Sequence, residues 1–429
     1  MLSPNPVPLQ DAGIAAQRTN SNPLQVISWP SIQGLFPKGS VQSYMTKFEA
    51  QQRFLPETRF TLDTPDQIDH YLKSFREHLH VLYPIVNGDW LETSMQRVKQ
   101  GHMVQLQRPG TGQIEHPSYA VLQLVLALGA ICDHPNPLPP SKMKISDQPL
   151  TNIDYMRPLH KGQGAVEVVN MGLSRYYAAV GVLDDNPGYH DLLTIQGRLL
   201  AGLYALQFAQ TSLAFHHISI ACTSCQILIS TGQYKLTGSL VLMENIAALT
   251  FWSCTDLERE VSHAAKFPRT GISKHESRVP FPDCQALASA SHIPYSAENL
   301  ELYKQRIWLR RTLDQVTFYT DADHLSETLG IRAIHSSHQM LKSWRTSTYA
   351  WRDNDSPSSD IVVATMRANY YNALQTIYRP VVEAVLFHSA RVPLINLQYY
   401  IEGAIGTITA FNSIQTSIYV PNFVTTAHV

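Results

Sequence analysis

Charge is scarce in this chain, and neither sign is in excess. Asp, Glu, Lys and Arg make up 16% of the 429 residues, and the formal net charge is -1. Proteins that grip nucleic acid unaided carry a basic surplus, because neutralising phosphates supplies most non-specific affinity. Tight DNA binding by this chain alone is therefore not expected. Cysteine is sparse too. The five, Cys132, Cys222, Cys225, Cys254 and Cys284, are odd in number, and four lie in or beside apolar runs, as buried free thiols do. They fit a reducing compartment better than a disulfide framework. The opening MLSPNPVPLQDAG lacks the basic start and apolar run of a secretory signal. The longest apolar run, Val121 to Ile131, is 11 residues and contains Gln123, well short of a bilayer span. An intracellular, soluble protein without a membrane partner is expected.

Catalytic motifs are missing as well. GxSxG, HExxH, GxGxxG and the P-loop do not occur. Cys222-x-x-Cys225 has the spacing of a redox or zinc pair, but no second CxxC or suitably spaced His pair accompanies it. It reads as two packed thiols within a helix. His335-x-x-His338 and His216-His217 are weaker, since 18 histidines make such pairs common by chance. Asp184-Asp185 in a helical chain invites comparison with magnesium-binding, diphosphate-processing terpene cyclases. The third acid of that motif is absent, and Pro187-Gly188 makes a turn the simpler reading. Asp321-x-Asp323 reads as a turn, and the sequon Asn354-Asp355-Ser356 has no meaning without secretion. No catalytic, cofactor-binding or metal-ligating residue is assigned, and an enzyme is not expected.

What the chain does have is apolar periodicity. Hydrophobic residues are 44% of the total, enough for a large core. Residues 1–60, rich in Pro, Ser, Asn and Gln, read as a flexible lead-in with a short docked segment at Val26 to Phe36. Residues 61–429 read as one helical domain. Thr64-Pro65-Asp66-Gln67 is a capping box with proline at N1, followed by Ile68, Leu72, Phe75, Leu79 and Leu82 on one face. Further helices are expected at about 89–100, 118–131, 164–182, 192–208, 212–230, 243–264, 296–319, 329–345, 360–378 and 397–414, the one at 360–378 stopped by Pro380. Between them run a Pro-rich loop, Asp133 to Pro149, and an extended strap ending in Pro280-Phe281-Pro282. The fold class is all-α, a multi-helix array of about ten helices with Pro-rich connecting straps.

Several stretches, taken in order, resemble the regulatory middle region of fungal zinc-cluster transcription factors (the fungal-specific transcription factor domain). Phe75 to Val86, FREHLHVLYPIV, is similar to that family's opening helix and its proline-marked end. Leu249 to Glu258, LTFWSCTDLE, resembles its Phe-Trp helix, and Gly271-Ile272-Ser273 through Glu276 to Pro280-Phe281-Pro282 resembles the strap that follows. Ile307 to Leu313, IWLRRTL, is similar to its Leu-Arg-Arg helix. Trp344-Arg345, Trp351-Arg352-Asp353, Ser359-Asp360-Ile361, Arg367 to Tyr371 and Arg379-Pro380 match further landmarks in order and spacing. The likeness spans about residues 65–429. It departs at Lys266-Phe267, where an acidic-Leu pair is usual. Val420 to Val429 looks like the start of the family's last helix, so the chain is expected to stop early.

The resemblance implies a nuclear regulator of RNA polymerase II transcription, of the kind that often controls a metabolic gene cluster. Family members hold zinc in a separate N-terminal six-cysteine cluster, which is absent here, so no cofactor is expected in this chain. DNA would be reached only indirectly or through such a cluster. The implied partners are proteins of the transcription machinery or a DNA-binding factor, with a homodimer allowed. Trp252, Leu257, Trp344, Tyr370, Tyr371 and Arg379 occupy landmark positions and read as core and interhelical contacts. Two other readings stand beside this one. One is a finger-less cytosolic or nuclear scaffold. The other is a terpene-cyclase-like enzyme built on Asp184-Asp185.

Overall fold

The structure, a computed structural model, describes residues 64–100, 116–132, 163–185, 187–207, 210–232, 240–265, 267–290, 296–320, 327–351, 356–388 and 393–414. The lead-in and its Val26–Phe36 segment, the Asp133–Pro149 loop, Lys266, Asp321-x-Asp323, Asn354-Asp355 and Val420–Val429 lie outside these residues. Among the described residues the architecture is all-α, with twelve α-helices and no strand.

Local chemistry sets the helix ends. Thr64 and Gln67 exchange side-chain and backbone hydrogen bonds, and α1 runs Pro65–Phe75 behind that cap. A single π-turn, Arg76–His80, extends it. Asn87 caps α2 (Gly88–Lys99) through the N–H groups of Asp89 and Trp90. Next come α3 (Pro117–Cys132), α4 (Gln163–Asp184), α5 (Leu192–Gln207) and α6 (Thr211–Thr231). Gly232 closes α6 at φ 66°, a left-handed conformation that favours glycine. The long α7 (Leu240–Ala265) leads into the strap, whose centre coils into a 3₁₀ turn, Ile272–His275. Then follow α8 (Cys284–Ala290), α9 (Ala297–Thr320), α10 (Glu327–Ser347), α11 (Ile361–His388) and α12 (Leu394–Thr409).

Three features were not expected from the sequence. The turn-rich strap is followed by a short helix. Asp283 accepts from the Gln285 and Ala286 N–H groups and so starts the short α8. Pro380 does not stop α11, which continues to His388. An internal proline costs about 3 kcal/mol, but tertiary contacts surround this one. Ile377 and Tyr378 are buried, and Tyr378 packs with His338 of α10 and Tyr399 of α12 in one aromatic cluster. Third, α6 is apolar and long enough to cross a bilayer by length and composition, which the 11-residue run did not anticipate. Here α6 lies against α5 and α7 and buries Ala214, Ile218, Ala221, Cys222, Cys225 and Leu228.

The hydrophobic α3 sits among α1, α4 and α5, with every described side chain but one buried. Gly129 lets it touch α1 directly, since a Cβ there would collide with the Tyr71 carbonyl. The far side of the molecule is built by α9, α10, α11 and α12. Between the two halves runs α7, in contact with α5, α6, α8 and α9.

Candidate functional site

Every side chain from Ala248 to Ser262 is buried. A helix enclosed on all sides is normally apolar all round, yet this one carries Asp256, Glu258, Arg259 and Glu260. Burying an unpaired charge is so costly that such groups need partners. Their spacing explains how they find them. Asp256 and Glu260, four apart, share a face of α7, and Arg306, Arg310 and Asp314 repeat that spacing on α9.

Arg306 Nη2 donates to Asp256 Oδ2 (2.8 Å) and to the Leu82 carbonyl (2.9 Å) just after the π-turn. Arg310 Nη1 donates to Asp256 Oδ1 (2.9 Å) and Glu260 Oε2 (2.5 Å), and the Tyr83 hydroxyl donates to Glu260 (3.2 Å). The Arg306 guanidinium lies over the rings of Tyr83 (4.6 Å) and Tyr303 (5.0 Å), adding cation–π attraction where water is excluded. Arg310 also reaches Asn369 of α11. One cluster thus ties the turn that follows α1 to α7, α9 and α11.

The strap completes the cluster from the other side. Arg259 bonds Asp314 (2.6 Å) and Glu276, and Arg269 grips Asp314 with two nitrogens (2.9 and 2.8 Å). Arg311 pairs with Glu276 (3.1 Å). Glu258 accepts from both the N–H (2.7 Å) and hydroxyl (2.6 Å) of Thr270. Higher on the helix, Trp252 donates to the Pro280 carbonyl (3.0 Å) and stacks on Phe281 at 4.2 Å. Asn245 accepts from the Asp283 N–H (2.8 Å). With five carboxylates, Asp256, Glu258, Glu260, Glu276 and Asp314, and five guanidiniums, Arg259, Arg269, Arg306, Arg310 and Arg311, the cluster is neutral within itself.

The pairing favours the ionised forms of Asp256, Asp314 and Arg310. Burial pushes the Asp256 carboxyl upward, but Arg310, Arg306 and Arg259 together outweigh it and hold it below the usual range. Asp314 is likewise held low, with Arg269 and Arg259 overcoming burial. Burial opposes the charge of Arg310, but Asp256 and Glu260 raise its pKa above that of a free guanidinium. The Tyr83 hydroxyl is driven well up by burial and by Glu260. Such paired charges fix helix register rather than shuttle protons. A void of about 10 Å³ beside Arg306, lined by Leu82, Tyr303, Thr365 and Met366, has room for no more than about one water.

The residues singled out in the sequence take structural places. Trp252, Leu257, Trp344 and Tyr370 are buried, while Tyr371 and Arg379 are half-buried. Trp344, Trp351 and Tyr370 group together, and the Arg345 guanidinium lies over the rings of Trp351 and Tyr370. Cys222 and Cys225 are buried free thiols, and Cys222 Sγ reaches the Cys254 carbonyl at 3.5 Å. Burial raises the Cys222 thiol pKa, away from thiolate chemistry. His338 bonds the Tyr378 hydroxyl (2.5 Å), and His217 lies between the Tyr176 hydroxyl (2.8 Å) and Arg198 (3.4 Å). Because a guanidinium only donates, Nδ1 of His217 is the acceptor and Nε2 carries the proton. Asp184 is exposed at the end of α4 and pairs with Arg198 (2.7 Å). Among the described residues, no three His, Cys, Asp or Glu side chains gather in a way that could hold a metal ion. A surface concavity of about 360 Å³ is lined by Asp69, Lys73, Arg76, Glu77 and Glu92, charges that already pair with one another across 2.6 Å at Arg76–Glu92.

The charge cluster itself was not anticipated. Its signal was the repeated four-residue spacing of charges on two apolar helices, which also fits an ordinary solvated face. Comparison with family models, with curated proteins and with solved structures found no match for this chain.

Proposed function

We propose that this chain is a nuclear regulator of RNA polymerase II transcription, serving as an interaction and regulatory body and not as a reader of DNA. It is either the body of a zinc-cluster factor or a finger-less relative that reaches DNA through a partner. The observation that carries the reading is convergence. The separate stretches whose order resembles the fungal regulatory domain each supply a member of one largely buried cluster. Leu82 and Tyr83 come from the first, Asp256 and Glu258 from the second, Glu276 from the strap, Arg310 and Arg311 from the fourth, and Asn369 from the last. Landmarks that meet at one place in space are compatible with the resemblance and support the reading.

The cluster gives the reading a physical mechanism. It joins α7, α9, α11, the strap and the turn that follows α1 through polar contacts whose geometry is all-or-none, so a partner that shifts one helix must repack the others. Neutrality of the whole chain supports action through proteins. The test is a tethering assay, in which the chain is fused to an unrelated DNA-binding module and placed at a polymerase II reporter. The reading expects reporter output to change severalfold relative to the module alone. Unchanged output with a folded, nuclear fusion would overturn it and favour the scaffold reading.

A further inference from the structure

Between the 3₁₀ turn Tyr349–Trp351 and α11, the stretch Ser356-Pro357-Ser358-Ser359-Asp360 runs outside any helix. Ser356, Pro357, Ser359 and Asp360 are exposed. Pro357 has no N–H, and its ring keeps Ser356 out of the helical region. A serine presented in this way suits the extended substrate groove of a protein kinase that takes proline at the next position. The described residues hold one other hydroxyl directly before a proline, that of Thr64. Its oxygen accepts from the Gln67 N–H (3.3 Å) as the cap of α1, and the chain turns helical at once. Ser358 is engaged as well, accepting from the Asp360 N–H (3.1 Å).

A cation stands ready beside it. Arg367 of α11 is buried, and its Nε donates to the Ala350 carbonyl (2.8 Å) while its Nη1 donates to the carbonyl of Ser356 itself. The Arg367 guanidinium lies 5.9 Å from the centre of the Trp351 ring, and that of Arg345 lies 5.2 Å from it. Asp360, the carboxylate of this stretch, is committed to capping α11 through the Val362 N–H (2.8 Å). We propose that Ser356 is a phosphorylation site for a proline-directed Ser/Thr kinase, and that Arg367 grips the phosphate. In the transfer, Ser356 Oγ attacks the γ-phosphorus of Mg–ATP. The new O–P bond forms as the bond to ADP breaks, ADP leaves, and the hydroxyl proton passes to the kinase's base. The product is a near-dianion with three acceptor oxygens. Its own carbonyl already meets the guanidinium, so side-chain rotation brings the phosphate within reach. Charge-assisted bonds of this kind fasten a turn in place, here to α11 beside Trp351. The inference rests on this turn alone and stands or falls separately from the transcriptional reading.

The full folded chain, incubated with Mg–ATP and a proline-directed kinase of the cyclin-dependent class, tests it once fragmentation mass spectrometry has mapped the phosphate. Ser356 should be modified ahead of Thr64, and Pro357→Ala should slow that modification severalfold without moving the thermal melt, because Pro357 is exposed. Phosphorus NMR then titrates the product, with Ser356→Ala identifying its resonance. A phosphoserine ordinarily has a second pKa of about 6. Beside Arg367, the folded chain should titrate at least about half a unit below the same phosphorylated chain unfolded in urea. No phosphate on Ser356, whether other hydroxyls take one or none does, overturns the proposal. A Ser356 phosphate that titrates alike in the folded and unfolded chain overturns the grip by Arg367.

Discussion

Removing the Asp256 carboxylate should be among the most damaging single changes in the protein. Asp256 is fully buried and accepts from two guanidiniums, of which Arg306 is also nearly inaccessible. In Asp256→Leu the carboxylate is lost, so Arg306 retains only the Leu82 carbonyl, while Arg310 still has Glu260. Breaking a buried pair from one side costs about 3–5 kcal/mol, because the surviving charge cannot be rehydrated. Against a total stability of about 5–15 kcal/mol this is a large share. For a folded body of roughly 300 residues it corresponds to a drop of about 5–8 °C in melting temperature. Asp256→Leu with Arg306→Met removes both charges, and the double variant should be more stable than the single one by at least about 1 kcal/mol. Circular dichroism melts at 222 nm, repeated by calorimetry, read both quantities. A single variant within about 1 °C of the parent, or two additive losses, would refute the account of the cluster as a coupled unit.

Other outcomes follow from the same packing. Gly129→Ala drives a methyl into the Tyr71 carbonyl and should destabilise by at least about 3 kcal/mol, seen as a lowered urea midpoint, whereas Gly188→Ala, with open space around it, should be silent. Trp252→Phe keeps the stack on Phe281 but loses the bond to Pro280, costing about 1 kcal/mol. Trp252→Ala should cost about 3–5 kcal/mol and speed proteolysis within the strap before global unfolding. The His217 pKa is lowered to about 3 by burial, Arg198 and His216. Its unfolded form therefore binds a proton that the folded form refuses, so stability is level above pH 6.5 and falls as pH drops from there toward 3. At pH 5 the loss from this one group is about 2 kcal/mol relative to neutral pH, and His217→Gln should flatten that part of a melting-temperature-against-pH curve. The carboxylates Asp256 and Asp314, held below their usual range, add their loss only under more acidic conditions.

Helix existence was legible because it depends on short-range signals. The Thr64–Gln67 box, the Ser296 cap, whose hydroxyl accepts from the Asn299 N–H, and the left-handed Gly232 each act within a few residues, and each helix end fell where they placed it. Pro380 misled for the complementary reason. A proline's local penalty is outweighed by packing from α10 and α12, elements that no window around residue 380 contains. The charges of α7 were opaque in the same way. Asp256 and Glu260 look solvated until Arg306 and Arg310, about fifty residues away, are brought beside them. The Leu and Ile residues of α12 read as core periodicity in sequence, and only the Gly403–Gly406 contact with α11 shows which face is turned out.

The central proposal is that this chain acts at polymerase II genes without itself reading DNA, through a zinc cluster outside the given sequence or through a partner. Chromatin immunoprecipitation of the endogenously tagged protein tests it most directly. The account predicts nuclear signal and enrichment at a limited set of promoters. A tagged protein excluded from the nucleus, or spread evenly over chromatin with no promoter enrichment, would contradict it.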